Sequence, residues 1–97
     1  MENTSPLWTQ DQAIAYEAAL EAINDVIAGY SAEIEQARTA SPPDLNRVEW
    51  LRMHKKQARA IGHSLNLTDD ASVAEVLREF SAMVIARNAA APGIKAA

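Results

Sequence analysis

Eight residues constrain this chain more than any others. Ala13, Tyr16, Leu20, Ile23, Ile27, Tyr30, Ile34 and Ala37 follow one another at alternating steps of three and four. That is the a/d spacing of a helix built to lie along another helix. The class of the protein, helical and contact-making, follows from the stripe before anything else is read.

The first helix is bounded by its own punctuation. Thr9-Gln10-Asp11-Gln12 matches a capping box, in which the Thr9 hydroxyl accepts from the amide three residues on and Gln12 reaches back. Asp11 suits the positive end of the helix dipole. Nothing but Gly29 interrupts the run before Pro42, and a residue preceding proline avoids helical geometry. The spacing therefore predicts a helix over about 9–40, a rod of roughly 45 Å.

Ser41-Pro42-Pro43-Asp44 reads as a second start, with Ser41 as the cap and Pro42 at the first helical position. Two long helices joined by so short a loop fold back antiparallel. The second helix is predicted over about 42–65 and carries Val48, Leu51, His54, Ala58, Ile61 and Leu65. Asn66 is the predicted left-handed cap, with Leu67 folding back on Ile61. A third helix is predicted over about 69–88, starting from Thr68 or Ser72, with Val73, Val76, Leu77, Phe80, Met83 and Val84 as its apolar stripe. The predicted architecture is all-α: an antiparallel hairpin plus a shorter third helix, bundle-like and dimerising. Residues 1–8 and 89–97 are expected to be loose ends around one domain at 9–88.

A turn near residue 41 sets a register in which facing residues have numbers summing to about 82. It pairs Ile34 with Val48, Tyr30 with Leu51, Ile27 with His54, Ile23 with Ala58, Leu20 with Ile61 and Tyr16 with Leu65. Nearly every pair is apolar on both sides.

Two side stripes remain. Ala15, Ala19, Ala22, Val26 and Gly29 lie about 100° from the main seam of the first helix, where small side chains admit a close neighbour. That neighbour is the third helix or a second copy of the chain. On the second helix, Trp50, Met53, Gln57 and Ala60 form another stripe. Leaving Trp50 and Met53 in water forgoes roughly 1.5–3 kcal/mol for each large apolar side chain. One short helix has too little surface to cover both stripes, which motivates a homodimer. The protein-interface candidates are Ala15, Ala19, Ala22, Val26, Gly29, Trp50 and Met53.

Composition narrows the function classes. The 97 residues make one small domain, 48% hydrophobic but only 5% aromatic. A net charge of −4 is opposite in sign to that of a typical small DNA binder. Arg52, Lys55, Lys56, Arg59 and His63 nevertheless make a basic ridge on the second helix. Arg52, Lys55, Lys56 and Arg59 are the possible contacts to an anionic partner, nucleic acid included. The plainer reading is a solvated face that complements the acidic first helix. A helix-turn-helix around Gly62 is disfavoured, since Asp69, Asp70, Glu75 and Glu79 would meet phosphates.

No catalytic constellation emerges. Glu17, Glu21 and Asp25 align on a convex face where nothing would shift a pKa. His54 flanks the seam, and His63 falls half-way round the helix from it, so the two share no metal. There is no Cys, no Gly-rich phosphate loop, no Gly-x-Ser-x-Gly and no His-Glu-x-x-His. No catalytic residue, cofactor or metal is expected. The N-terminus lacks a signal-peptide pattern, and no apolar run approaches the roughly 18 residues of a membrane span. The sequence reads as a cytoplasmic, non-enzymatic protein-interaction and oligomerisation module with an unidentified protein partner. A small dimeric nucleic-acid-associated regulator is the alternative.

Overall fold

The computed structural model describes residues 7–90. Three helices follow in order, α1 (Gln10–Thr39), α2 (Leu45–Ser64) and α3 (Asp70–Ala90), making an all-α three-helix bundle. Of the expected loose ends, residues 1–6 and 91–97 lie outside the described residues, while Ala89 and Ala90 belong to α3.

α1 is the shared element. The Thr9 capping box forms as its sequence dictates: Gln12 N–H donates to Thr9 Oγ1 at 3.0 Å and Thr9 N–H donates to Gln12 Oε1 at 2.8 Å. α2 returns antiparallel along the heptad stripe. Arg47 bridges Glu33 at 2.8 Å, His54 meets Tyr30, and the Gly62 backbone lies against Ile23. These pairs have numbers summing to 80, 84 and 85, within a turn of the expected register. α3 runs parallel to α1 with numbers offset by 58. Gln12 Nε2 donates to Asp70 Oδ1 at 2.9 Å at one end, and Arg87 lies over Gly29 at the other. α1 packs against both neighbours, while α2 and α3 are splayed apart with no close backbone approach.

The core follows from this arrangement. Ala22, Ile23 and Val26 of α1, Ala58 of α2 and Phe80 of α3 form one buried cluster, with Val76, Leu77 and Val84 packed onto it. The small-residue stripe is thus filled by the chain's own third helix, with Ala19 fully buried. Gly29 has a specific reason to lack a side chain. An added Cβ would lie 3.0 Å from Arg87 Cδ and 3.2 Å from Cζ, inside van der Waals contact. Arg87 Nη1 uses that clearance to donate to the Asp25 carbonyl at 2.8 Å.

Three helix boundaries differ from expectation. α2 begins at Leu45, not at Pro42, and its cap is Asp44, whose side chain accepts from Arg47 N–H at 3.1 Å. The reason was in the sequence: Pro42 precedes Pro43, which steers Pro42 out of the helical region. Asp44 N–H instead donates to the Ala37 carbonyl at 2.9 Å, tying the loop to the end of α1. At the other end Asn66 is not a left-handed cap, since among the described residues no non-glycine has positive φ. Leu65 is extended, and Asn66 Oδ1 accepts from both the Thr68 N–H and hydroxyl at 2.9 Å, an Asx turn. Leu67 lines a groove at the start of α3 beside Ala15 and Val73. α3 is capped by Asp69, which accepts from Ser72 N–H at 3.1 Å and from its hydroxyl at 2.8 Å, so neither Thr68 nor Ser72 is the cap.

Exchanging the two candidate caps of α2 checks this assignment. Asp44→Ala removes a used cap and is expected to cost about 1 kcal/mol. That corresponds to a fall in Tm of about 4–8 °C for a domain of this size. Ser41→Ala is expected to stay within about 0.5 kcal/mol of the parent. Thermal unfolding followed by circular dichroism reads both, and the reverse order would return the cap to Ser41.

Candidate interaction surface

α2 has two working faces. Val48, Leu51 and Ala58 are buried against α1, with Leu51 completely inaccessible. Trp50 and Met53 stand on the opposite side and remain 45% and 50% exposed. They are the two interface candidates that the fold leaves open. Ala19, Ala22 and Val26 are buried under α3, while Ala15 and Gly29 are half-buried beside it.

Exposure does not leave Trp50 loose. Its ring centroid is 3.9 Å from that of His54, inclined at 43°, and the Arg47 guanidinium sits 5.1 Å from the indole centroid. Arg47 is held in turn by Glu33. His54 continues the contact to Tyr30 at 6.1 Å between centroids. Cation–π and tilted aromatic contacts of this kind contribute roughly 0.5–1.5 kcal/mol each and fix the ring's orientation. His54, set against Ile27 by the sequence register, also joins Tyr30 one turn along α1 and Trp50 on α2 in an aromatic row. The Tyr30 phenol is pushed above its ordinary value near 10 by burial, with the nearby Glu33 carboxylate adding to the effect.

The basic ridge occupies a different flank of α2. Arg52, Lys56 and Arg59 are exposed and Lys55 is half-buried. Among the described residues the ion pairs are Arg38–Glu35, Arg47–Glu33 and Arg78–Glu75, so no ridge cation is bridged to a carboxylate. Among the described residues the α1–α2 ion pair runs through Arg47, which lies outside the stripes and ridge read from the sequence. Its signal was present in the register, since Glu33 and Arg47 have numbers summing to 80. Next to the ridge, Arg59, Gly62 and His63 edge an open groove of about 470 Å³ floored by Leu20, Ile23 and Ile27.

Among the described residues no three His, Asp or Glu side chains converge as metal ligands. No helix there is long and apolar enough to cross a membrane. Comparison of the chain with protein families, with curated proteins and with solved structures gives no match.

Tyr30 offers a pH test of the aromatic row. An acid whose folded pKa is raised is more readily ionised in the unfolded chain. Stability is therefore held below about pH 10 and lost as pH rises past the unfolded value toward the folded one. Denaturant titrations at pH 8 and at pH 10.5 are expected to show a larger alkaline loss for the parent than for Tyr30→Phe. Equal losses would mean that the phenol is not desolvated by the α1–α2 packing.

Proposed function

We propose that this chain is a non-enzymatic helical interaction module whose contact surface is the Trp50–Met53 face of α2. The observation that carries the reading is a half-exposed tryptophan held in one orientation by Arg47 and His54. A large aromatic ring that is exposed and already ordered loses little side-chain entropy on binding, and tryptophan is enriched among residues that dominate interface energies. Met53 beside it supplies an adaptable apolar surface. Self-association is part of this proposal, since the small-residue stripe is consumed by α3, while the α2 face keeps two of the chain's exposed large apolar side chains, Trp50 and Met53, side by side. A cytoplasmic location belongs to the same reading and rests on the cysteine-free sequence.

The double variant Trp50→Asp/Met53→Asp tests the face directly. Loss of the His54 and Arg47 contacts should lower Tm by several degrees while the helical fold is kept, and association with itself or with a captured partner should fall by at least tenfold. Sedimentation and pull-down at matched concentration read the two forms of association. Unchanged binding in both would remove the face from the reading.

A second reading has one observation in its favour. Among the described residues Arg52, Lys55, Lys56 and Arg59 make no ion pair, so their charge is available to a polyanion. Duplex DNA titrated at about 20 mM salt should then bind, and the affinity should fall steeply as salt rises. Absence of binding at low salt eliminates the nucleic-acid role.

A further inference from the structure

The outward face of α2 has a longer pattern than the tryptophan alone. Asn46, Trp50, Met53, Gln57, Ala60 and Ser64 recur at steps of four and three along the whole helix. At 100° per residue this line lies roughly opposite the Val48–Leu51–Ala58 face that packs on α1. All six are exposed and none is charged. It is a second heptad seam, neutral from end to end, on a helix whose first seam is already closed by α1. Covering it therefore buries no charged side chain of the seam itself, while Arg47 stays at its edge beside Trp50.

We propose, building on the interaction reading above, that the occupant of this seam is the α2 helix of a second copy, packed antiparallel about a two-fold axis. Charge selects the register. The flanking positions on one side of the seam are Glu49, Lys56 and His63. In an antiparallel pair, like flanks face each other, so Glu49 of one copy meets the same flank of the other. When facing residues have numbers summing to about 103, each Glu49 lies beside the second copy's Lys56, and the symmetry makes the pair twice. Both side chains are exposed, and neither is ion-paired within the chain among the described residues. The same register sets Trp50 against Met53 at the centre, again twice, with Asn46 against Gln57 outside them.

Aromatic and thioether groups then occupy the middle, with hydrogen-bonding amides and a charged rim around them, the usual distribution of energy in an interface. The competing register, in which numbers sum to about 110, overlaps the helices more fully. It also sets Lys56 against Lys56 across the axis, and like charges there oppose it. A foreign partner could meet the apolar centre, but only a second copy supplies the reciprocal Glu49–Lys56 arrangement from the same residues.

Two experiments test the occupant and the register. Glu49→Lys and Lys56→Glu each turn two attractive pairs into two repulsive ones. Each single variant should self-associate about tenfold more weakly, on the scale of exposed ion pairs. Mixed together, the two variants should form a heterodimer tighter than either homodimer, because both pairs become attractive again, one with the parental sign and one with the sign reversed. No heterodimer preference overturns the register. Separately, the chain has no cysteine, so Asn46→Cys/Gln57→Cys carries two thiols about 16 Å apart on one helix, too far to join within a chain.

Mild oxidation should yield a covalent dimer from this variant. Crosslinking through Asn46→Cys/Ser64→Cys instead assigns the competing register and overturns this one. A parent chain that sediments as a monomer at every concentration overturns the second-copy occupant. The interaction reading survives that outcome if Trp50→Asp/Met53→Asp still abolishes binding of a different protein, and falls with it if that double variant changes nothing.

Discussion

The structure depends on α1 presenting two different apolar lines to two different neighbours. The heptad line receives α2, and the small-residue line about 100° away receives α3. Ile23 and Val26 sit where the two lines meet and are 2% and 5% exposed, so one helix supplies most of the core that both neighbours share. Because α2 and α3 lean on α1 and not on each other, neither is surrounded. The bundle spends its small residues inside and leaves the far side of α2 open, which is why an aromatic side chain ends up half in water.

Much of this was legible in the sequence, and the parts that were not have identifiable physical reasons. The heptad line, the antiparallel return and its register within a turn follow from side-chain periodicity, which long-range packing reinforces. The helix ends do not, because several residues that can cap stand close together. Ser41 and Asp44 both suit the start of α2, and Pro43 decides between them by restricting Pro42. Asn66 can end a helix or make an Asx turn, and it makes the turn. Asp69, Thr68 and Ser72 compete within five positions, and the carboxylate wins by accepting two hydrogen bonds from Ser72.

The candidate surface divides in the same way. Trp50 and Met53 were identifiable because periodicity placed them off the seam. The small residues were identifiable as a contact line, but not as to which neighbour would use it. Arg87 settles that question physically. It reaches across Gly29 to the Asp25 carbonyl, 62 positions away in the chain. Periodicity within one helix carries no information about such a pair. The role of Arg47 was hidden for a similar reason: its bridge to Glu33 and its place over Trp50 depend on two helices and one rotamer together.

The two surfaces of α2 are less independent than their chemistry suggests. An antiparallel pair of α2 helices related by a two-fold axis keeps like flanks on the same side. The flank that carries Lys56 and His63 grades into Arg52 and Arg59, so in the proposed pair the ridges of both copies would fall on one side. Their charges then repel across the seam unless Glu49 intervenes, and Glu49 is the acidic residue on that flank of α2. In the proposed pair its carboxylate would have two effects: it would offset the second copy's Lys56 and permit a doubled basic surface to form. A polyanion bound along that surface would screen the same repulsion, so pairing of α2 and anion binding would strengthen each other, as linkage requires of two ligands favouring one state.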